Sequence, residues 1–479
     1  MIQIGLPLSK SIINRLLVIR KVRGLKEELC IDTDDMCDDV KVMTDALKIT
    51  EGVVNIGAAG TAMRFLTAYY AATEGSNVLL TGSERMKERP IGTLVDALKQ
   101  LGADIEYTLK EGFPPLKIKG KKLKGGSLAI DGNISSQFIS ALLMVEPLMK
   151  EKLNLEINGD LVSAPYVEMT KKMMALPCME IKQEKDWTAA SYWFEAVALT
   201  KNELLLNGVD INSIQGDSRW TLEFFKQLGV EAKKEENGLL LSYNQPKSNQ
   251  NALDWNFRDC PDLVPTMVVT CCMMEKTFCF TGLSTLRIKE TDRIKALRKE
   301  LLKIGYVLKE EGDDVLRWDG KKINAVERIE IDTYNDHRMA MAFGIATLVN
   351  TNILIKNIKV VNKSYNNFWK EWGKVKSAIR QESCKNEGMD DVCGVSCFCD
   401  EKALQTKLSE EIIYFDDEEL DEYRGIDANE YTEDQIDAFY EVLTTMRKEE
   451  VNEWLHSLEL RGIELPQQLK ETAIMIMSD

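Results

Sequence analysis

Between residues 90 and 310 the apolar positions switch between two periods: stretches at helical spacing end at a Leu-Gly or Ile-Gly pair, and a short alternating run follows. The unit reads Leu94 to Leu101-Gly102 before Ala103-Asp104-Ile105, Leu222 to Leu228-Gly229 before Val230-Glu231-Ala232, and Leu301-Ile304-Gly305 before Tyr306-Val307-Leu308. A glycine just past the last turn supplies the left-handed residue that closes a helix, so each unit predicts helix, cap and strand. Recurrence at irregular spacing predicts an α/β protein built by duplication, not a solenoid of fixed period. From Trp187 to Leu199 the pattern turns strongly helical and a second series of units begins, which places a domain crossing near Glu184 or Lys185.

After Trp372 the periodicity fades. A polar linker is expected over 377–392, followed by a mainly helical tail over 393–479 with helical patterns at Glu433 to Met446, Lys448 to Leu460 and from Pro466 to about Met477. Charge separates the same two parts. The formal charge of −16 comes from the tail: from Ser383 onward there are 26 Asp/Glu against 8 Lys/Arg, and upstream 51 against 53. An acidic chain without a basic cluster argues against nucleic acid as a partner. No run of eighteen apolar residues occurs and the first twenty residues carry no signal-peptide pattern, so neither a membrane span nor secretion is expected. The eleven cysteines, several in apolar runs such as Cys271-Cys272, suit a reducing, cytoplasmic setting. Cys384, Cys393, Cys397 and Cys399 lack the paired knuckles of common zinc folds, and no metal site is expected.

Three stretches mix cations with small, hydroxyl or amide residues, the combination that holds phosphorylated anions. Ser9-Lys10-Ser11-Ile12-Ile13-Asn14-Arg15 puts Lys10 and Ser11 at the electropositive end of a predicted helix, with Arg15 one turn after Ser11 on the same face. Gly57-Ala58-Ala59-Gly60-Thr61-Ala62-Met63-Arg64 opens another helix with small residues that let a ligand approach the backbone, and Arg85-Met86-Lys87-Glu88-Arg89-Pro90 follows. Lys289-Glu290-Thr291-Asp292-Arg293 opens a third helix, and Tyr334-Asn335-Asp336-His337-Arg338 precedes the apolar run Met339 to Leu348. Taken singly, these stretches also read as an N-cap with a solvated arginine or as a charged surface loop.

Together, and with Leu80-Thr81-Gly82, Ser135-Ser136-Gln137, Ser163-Ala164-Pro165-Tyr166, Ser213-Ile214-Gln215-Gly216-Asp217 and Pro261-Asp262, the chain from about Leu6 to Trp372 resembles the EPSP synthase family. The resemblance implies an α/β enolpyruvyl transferase fold, an inside-out α/β barrel. Two similar domains, residues 1–9 with 185–376 and residues 10–184, would each hold repeated βαβαββ units with helices inside, closing on the substrates and open without them. It implies transfer of the enolpyruvyl group of phosphoenolpyruvate to the 5-hydroxyl of shikimate 3-phosphate without metal or organic cofactor. By position, Asp262 would accept the hydroxyl proton, Glu290 would handle the proton at the methylene carbon, and Lys10 would stabilise charge between the substrates. Lys10, Gly60, Arg89, Gln137, Arg293, Arg338 and Lys363 match the phosphoenolpyruvate side. Lys10, Ser11, Arg15, Ser135, Ser136, Gln137, Ser163, Tyr166, Asp262 and Lys289 match the shikimate 3-phosphate side.

The chain departs from the family pattern at Leu8, Ala58, Thr285 and Tyr365-Asn366, and it starts a strand's length later than is usual. Two rival readings are a sister transferase acting on UDP-N-acetylglucosamine and a non-catalytic binder of anionic metabolites that displays its tail. The first lacks its cysteine-bearing loop around Arg85 to Arg89, and the second has no need of both Asp262 and Glu290. The transferase body is expected to be a monomer, and the tail to be an acidic helical module for self-association or for a partner, or else an independent domain fused by gene joining.

Overall fold

A computed structural model of the chain describes residues 1–25, 29–31, 36–132, 135–159, 161–246 and 252–386, and short stretches between 414 and 476. It divides into two units, Met1–Glu387 and Gly388–Asp479. The strands of the first are β1 (Ile2–Gly5), β2 (Glu51–Asn55), β3 (Asn77–Thr81), β4 (Asp104–Tyr107), β5 (Leu116–Lys119), β6 (Gly126–Asp131), β7 (Leu153–Asn158) and β8 (Leu204–Asn207). They continue with β9 (Val230–Glu235), β10 (Gly238–Tyr243), β11 (Ala252–Asn256), β12 (Thr277–Thr281), β13 (Lys309–Glu311), β14 (Val315–Trp318), β15 (Ile329–Ile331) and β16 (Ile353–Ile355). Its helices are α1 (Lys10–Val22), α2 (Asp38–Ala46), α3 (Gly60–Ala72), α4 (Glu84–Lys87), α5 (Gly92–Gln100), α6 (Ser136–Val145) and α7 (Ala164–Ala175). After them come α8 (Trp187–Thr200), α9 (Asp217–Gln227), α10 (Val264–Met273), α11 (Arg293–Ile304), α12 (His337–Ala346) and α13 (Phe368–Asn386).

One topology recurs. Three four-stranded sheets, β2-β3-β5-β4, β11-β12-β14-β13 and β1-β8-β10-β9, each begin with a parallel pair and end in an antiparallel hairpin. Chain order in the first is β2-α3-β3-α4-α5-β4-β5, with the one-turn α4 added, and in the second β11-α10-β12-α11-β13-β14, the βαβαββ unit. In the third, everything from α1 to α7 intervenes between β1 and α8, so a four-residue strand at the chain start completes a sheet whose other strands lie 200 residues on. Two further sheets, β6-β7 and β15-β16, keep only the parallel pair among the described residues. There the repeat is shorter than expected, because the chain enters α7 after β7, and a 3-10 segment and α13 after β16, instead of a hairpin.

Ser9 N–H donates to the Glu184 carbonyl at 2.8 Å and Asp186 N–H to the Pro7 carbonyl at 2.9 Å, so the outgoing and returning strands run side by side. Gly102, Gly229 and Gly305 cap their helices at φ of 96°, 89° and 106°, and a Cβ at Gly305 would sit 2.6 Å from the Ile323 carbonyl. The strand after Gly305 forms at Lys309–Glu311, past the predicted Tyr306 to Leu308. Helix α13 continues through Asn386, beyond the start of the linker expected at 377. No helix of the described residues is long and apolar enough to cross a membrane, and Cys30, Cys37, Cys178, Cys260, Cys271, Cys272 and Cys279 are free thiols.

Helices α8, α10 and α12 are largely apolar around their whole circumference and pack against one another: every residue of α12 is buried, as is α8 from Trp187 to Ala198. Glu195 lies in that buried run. Among the described residues neither of its carboxyl oxygens has a hydrogen-bond partner, and the hydroxyl of its neighbour Thr270 donates to the Thr266 carbonyl at 2.7 Å. Burial pushes the Glu195 carboxyl well up. The folded state therefore holds this proton more tightly than the unfolded chain, and stability falls as pH rises from the ordinary Glu range toward the raised value. Glu195→Gln is expected to stabilise the protein by about 1–3 kcal/mol near pH 8, with the gain vanishing near pH 4; denaturant titrations at the two pH values check it.

The second unit has its own core of Leu420, Tyr431, Phe439, Leu443, Val451, Trp454 and Leu458, with a buried ion pair of 2.6 Å between Arg461 and Asp417. Helix α14 (Glu433–Thr445), opened by a Thr432–Gln435 capping box, matches the first helical pattern of the tail. The second pattern and the end of the third fall partly outside the described residues, as do Cys393, Cys397 and Cys399 and the side chain of Cys384. A 3-10 turn stands at Gln467–Leu469.

Candidate active site

A cavity of about 320 Å³ lies where the helix N-termini of both halves of the first unit converge. Fifteen of the sixteen candidate residues line it; the sixteenth, Lys363, touches one of the fifteen. On the side that carries α1, α3, α6 and α7, Ser9 caps α1 and sets Lys10 at its first turn. Lys10 Nζ pairs with Asp39 of α2 at 2.9 Å; burial works against its charge, and Asp39 outweighs it and raises its pKa. Arg15, 1% exposed, donates to the hydroxyls of Thr170 (2.7 Å) and Ser140 (3.3 Å) and to the Ser11 carbonyl (2.9 Å), between the rings of Phe65 and Tyr166. Burial pushes its pKa down to about 10, and among the described residues no carboxylate pairs with it. A buried guanidinium held only by neutral groups suits an anionic ligand.

Ser135 caps α6 and Ser136 opens it, so hydroxyls and free N–H groups share that terminus. Gln137 Nε2 donates to Thr61 at 3.3 Å. Ser163 stands before α7 at φ 56°, an uncommon conformation for serine, with Tyr166 one turn on. Gly60 begins α3 beneath two guanidiniums. A Cβ there would meet Arg89 at 2.7 Å and Arg64 at 2.9 Å, so glycine is what lets both cations reach the cavity floor.

The facing side is an ion network centred on Arg293, 1% exposed at the start of α11. It donates to Asp336 (2.7 Å), Asp262 (3.0 Å) and Glu290 (3.0 Å). Asp262, in a 3-10 turn at the head of α10, also meets Arg338 at 3.0 Å and Lys289 at 3.4 Å. Glu290 meets Lys363 at 2.8 Å and Arg89 at 3.9 Å. Burial alone would raise both carboxyls. Arg338, Lys289 and Arg293 instead hold Asp262 well below the usual range, and Lys363, Arg293 and Arg89 do the same for Glu290. His337, buried among Lys10, Arg338 and Lys363, is kept neutral by burial and by these cations. The two halves touch across the cavity, with Lys363 Nζ 3.0 Å from the Ala58 carbonyl, so the cleft is closed in this structure.

Several contributors escaped the sequence reading. Asp39 is separated from Lys10 by 29 residues and lies in an acidic stretch that carries no pattern of its own. Asp336 reads as an N-cap, and its second role on Arg293 depends on a contact 43 residues away. Arg64 and Thr61 stand inside a quoted motif but face the cavity only because α3 is rotated as it is.

Comparison with known proteins agrees with the motifs. The sequence profile described as EPSP synthase (3-phosphoshikimate 1-carboxyvinyltransferase) matches residues 7–188 and 176–372. The chain is 44% identical over 398 residues to the 3-phosphoshikimate 1-carboxyvinyltransferase of Bacteroides fragilis strain YCH46, covering 79% of this chain and 96% of that one. It is 36% identical over 423 residues to the protein of that name from Haemophilus influenzae strain PittGG, covering 78% and 96%. Among solved structures, EPSP synthase from Acinetobacter baumannii superposes with a TM-score of 0.57 at 18% identity over 78% of this chain and 95% of that one, a likeness of fold. By profile and by identity across nearly the whole length of these relatives, the chain belongs to the EPSP synthase family.

Proposed function

We propose that the chain transfers the enolpyruvyl group of phosphoenolpyruvate to the 5-hydroxyl of shikimate 3-phosphate, in the cytoplasm and as a monomer. The observation that carries this reading is the pair of carboxylates, Asp262 and Glu290, bridged by one buried Arg293 at the wall of a cavity lined with cations from both halves. Arg15, Ser135, Ser136 and Ser163 hold shikimate 3-phosphate, while Arg89, Arg293, Arg338 and Lys363 hold the phosphate and carboxylate of phosphoenolpyruvate.

Asp262 takes the proton of the 5-hydroxyl as its oxygen bonds to C2 of phosphoenolpyruvate, and the methylene carbon gains a proton, giving a tetrahedral intermediate. Loss of a methyl proton with departure of phosphate then restores the double bond. Glu290 and Lys10 serve the proton steps at carbon. A carboxylate held as low as Asp262 is a poor base. Binding of two polyanions draws Arg338, Lys289 and Arg293 toward the ligands and lets its pKa rise when a base is needed.

Phosphate release from phosphoenolpyruvate tests the reading. It is expected to require shikimate 3-phosphate and to survive in a chain ending at Asn386, which keeps α13 whole. Release without shikimate 3-phosphate, or none at all, would sink it. Gly60→Ala is expected to push Arg89 and Arg64 aside and raise KM for phosphoenolpyruvate about tenfold, leaving the Kd for shikimate 3-phosphate within about twofold. Steady-state kinetics and calorimetry separate the two constants.

A further inference from the structure

We propose that Arg85 is a positioning residue that fixes the main chain of Lys289 and Glu290 from the opposite half of the molecule; this rests on the transferase reading of Glu290. Arg85 stands in α4, a single turn capped by Ser83 and anchored by the buried side chain of Met86. Its guanidinium crosses the cleft and donates to the Glu290 carbonyl through Nε at 3.2 Å and to the Lys289 carbonyl through Nη2 at 3.3 Å. Among the described residues no other donor reaches either carbonyl.

The contact has a place in the geometry of the site. Lys289 and Glu290 lie between the end of a 3-10 turn at Ile288 and the start of α11 at Arg293, where no helix or strand ladder holds the backbone. Their side chains reach Asp262 and the Arg293–Lys363 pair, so a shift of that backbone moves both. Arg89, one turn after Arg85, approaches the Glu290 carboxylate at 3.9 Å. One loop thus grips Glu290 by main chain and by side chain, and does so only when the halves are closed. Glu88 holds the remaining arm of Arg85 at 2.9 Å and aims the fork. A lysine at 85 keeps the charge but offers a point donor where a planar fork spans two acceptors. The side chain is 41% exposed and takes no part in the core, so its removal leaves the fold intact.

Full-length wild type, Arg85→Ala and Arg85→Lys are compared in steady-state phosphate release, in ligand-induced compaction followed by small-angle scattering, and in thermal melting. For Arg85→Ala a fall in kcat of about thirtyfold is expected, since a displacement on the order of 1 Å at a reacting group costs up to about a hundredfold. The phosphoenolpyruvate concentration needed for compaction should rise, Tm should stay unchanged, and Arg85→Lys should fall between. The latch is overturned if both variants turn over within about twofold of wild type, or if kcat and Tm fall together. A wild type that compacts with ligands but releases no phosphate would overturn the transferase reading instead, and with it any role for Arg85 in turnover.

Discussion

Asp262→Asn should lower kcat by about a thousandfold, the middle of the range over which a positioned general base contributes. The substitution keeps the shape of the side chain and most of its hydrogen-bonding reach, but removes the charge that Arg338, Lys289 and Arg293 surround and the lone pair that would take the hydroxyl proton. Binding should suffer less. Three cations freed of an internal counter-charge attract polyanionic substrates at least as well as before, so the Kd for shikimate 3-phosphate is expected to stay within about tenfold. Kinetics and calorimetry on the same preparation separate the two effects, and undiminished turnover would remove Asp262 from the role of base. The pH profile adds a second check. In the free enzyme the cations hold Asp262 and Glu290 ionised well below the ordinary carboxylate range, so the acid limb of kcat/KM for wild type is expected below about pH 4. In Arg338→Gln one of these cations is gone, and the limb should move to higher pH.

Arg293→Met should cost about 3–5 kcal/mol of stability, the range for removing one partner of a buried ion pair. Arg293 is 1% exposed and touches three carboxylates; Asp262 keeps Arg338 and Lys289 and Glu290 keeps Lys363 and Arg89, so the loss falls hardest on Asp336. Asp336 has most to lose, being fully buried with Arg293 as its bonded cation at 2.7 Å. The sign of the pH dependence follows. Asp262 and Glu290, held low in the folded wild type, contribute stability that is present above their unfolded values and lost as pH falls through the folded ones. In Arg293→Met that contribution shrinks, so the difference from wild type should be greatest near neutrality and shrink steadily as pH falls below the ordinary carboxylate range toward the depressed folded values. Denaturant midpoints across that interval measure it, and a difference independent of pH would mean that lost packing outweighs lost charge.

The open form expected without substrates is a separate matter from the closed cleft seen here. Scattering on the ligand-free protein should give a larger radius of gyration than with both substrates bound, because closure brings cations such as Lys363 and Arg85 onto the opposite half.

The sequence by itself determined the local pieces. Helix caps at Gly102, Gly229 and Gly305 and the cationic stretches at helix starts were legible, because periodicity, glycine conformation and capping chemistry act over a few residues. The family motifs extended that reading to a list of site residues, and fifteen of the sixteen line one cavity. Legibility ended where a property depends on partners far along the chain. Asp39 and Asp336 became neighbours of Lys10 and Arg293 only through packing between helices, and Glu195 looked like any charge on a helix until α8 was enclosed on all sides. The same limit applies to charge: which of sixty-one cations and seventy-seven acids face one another decides that Asp262 and Glu290 are held ionised. Tertiary structure alone made that decision, because Coulomb energy and desolvation depend on separation and burial in space, and sequence distance constrains neither.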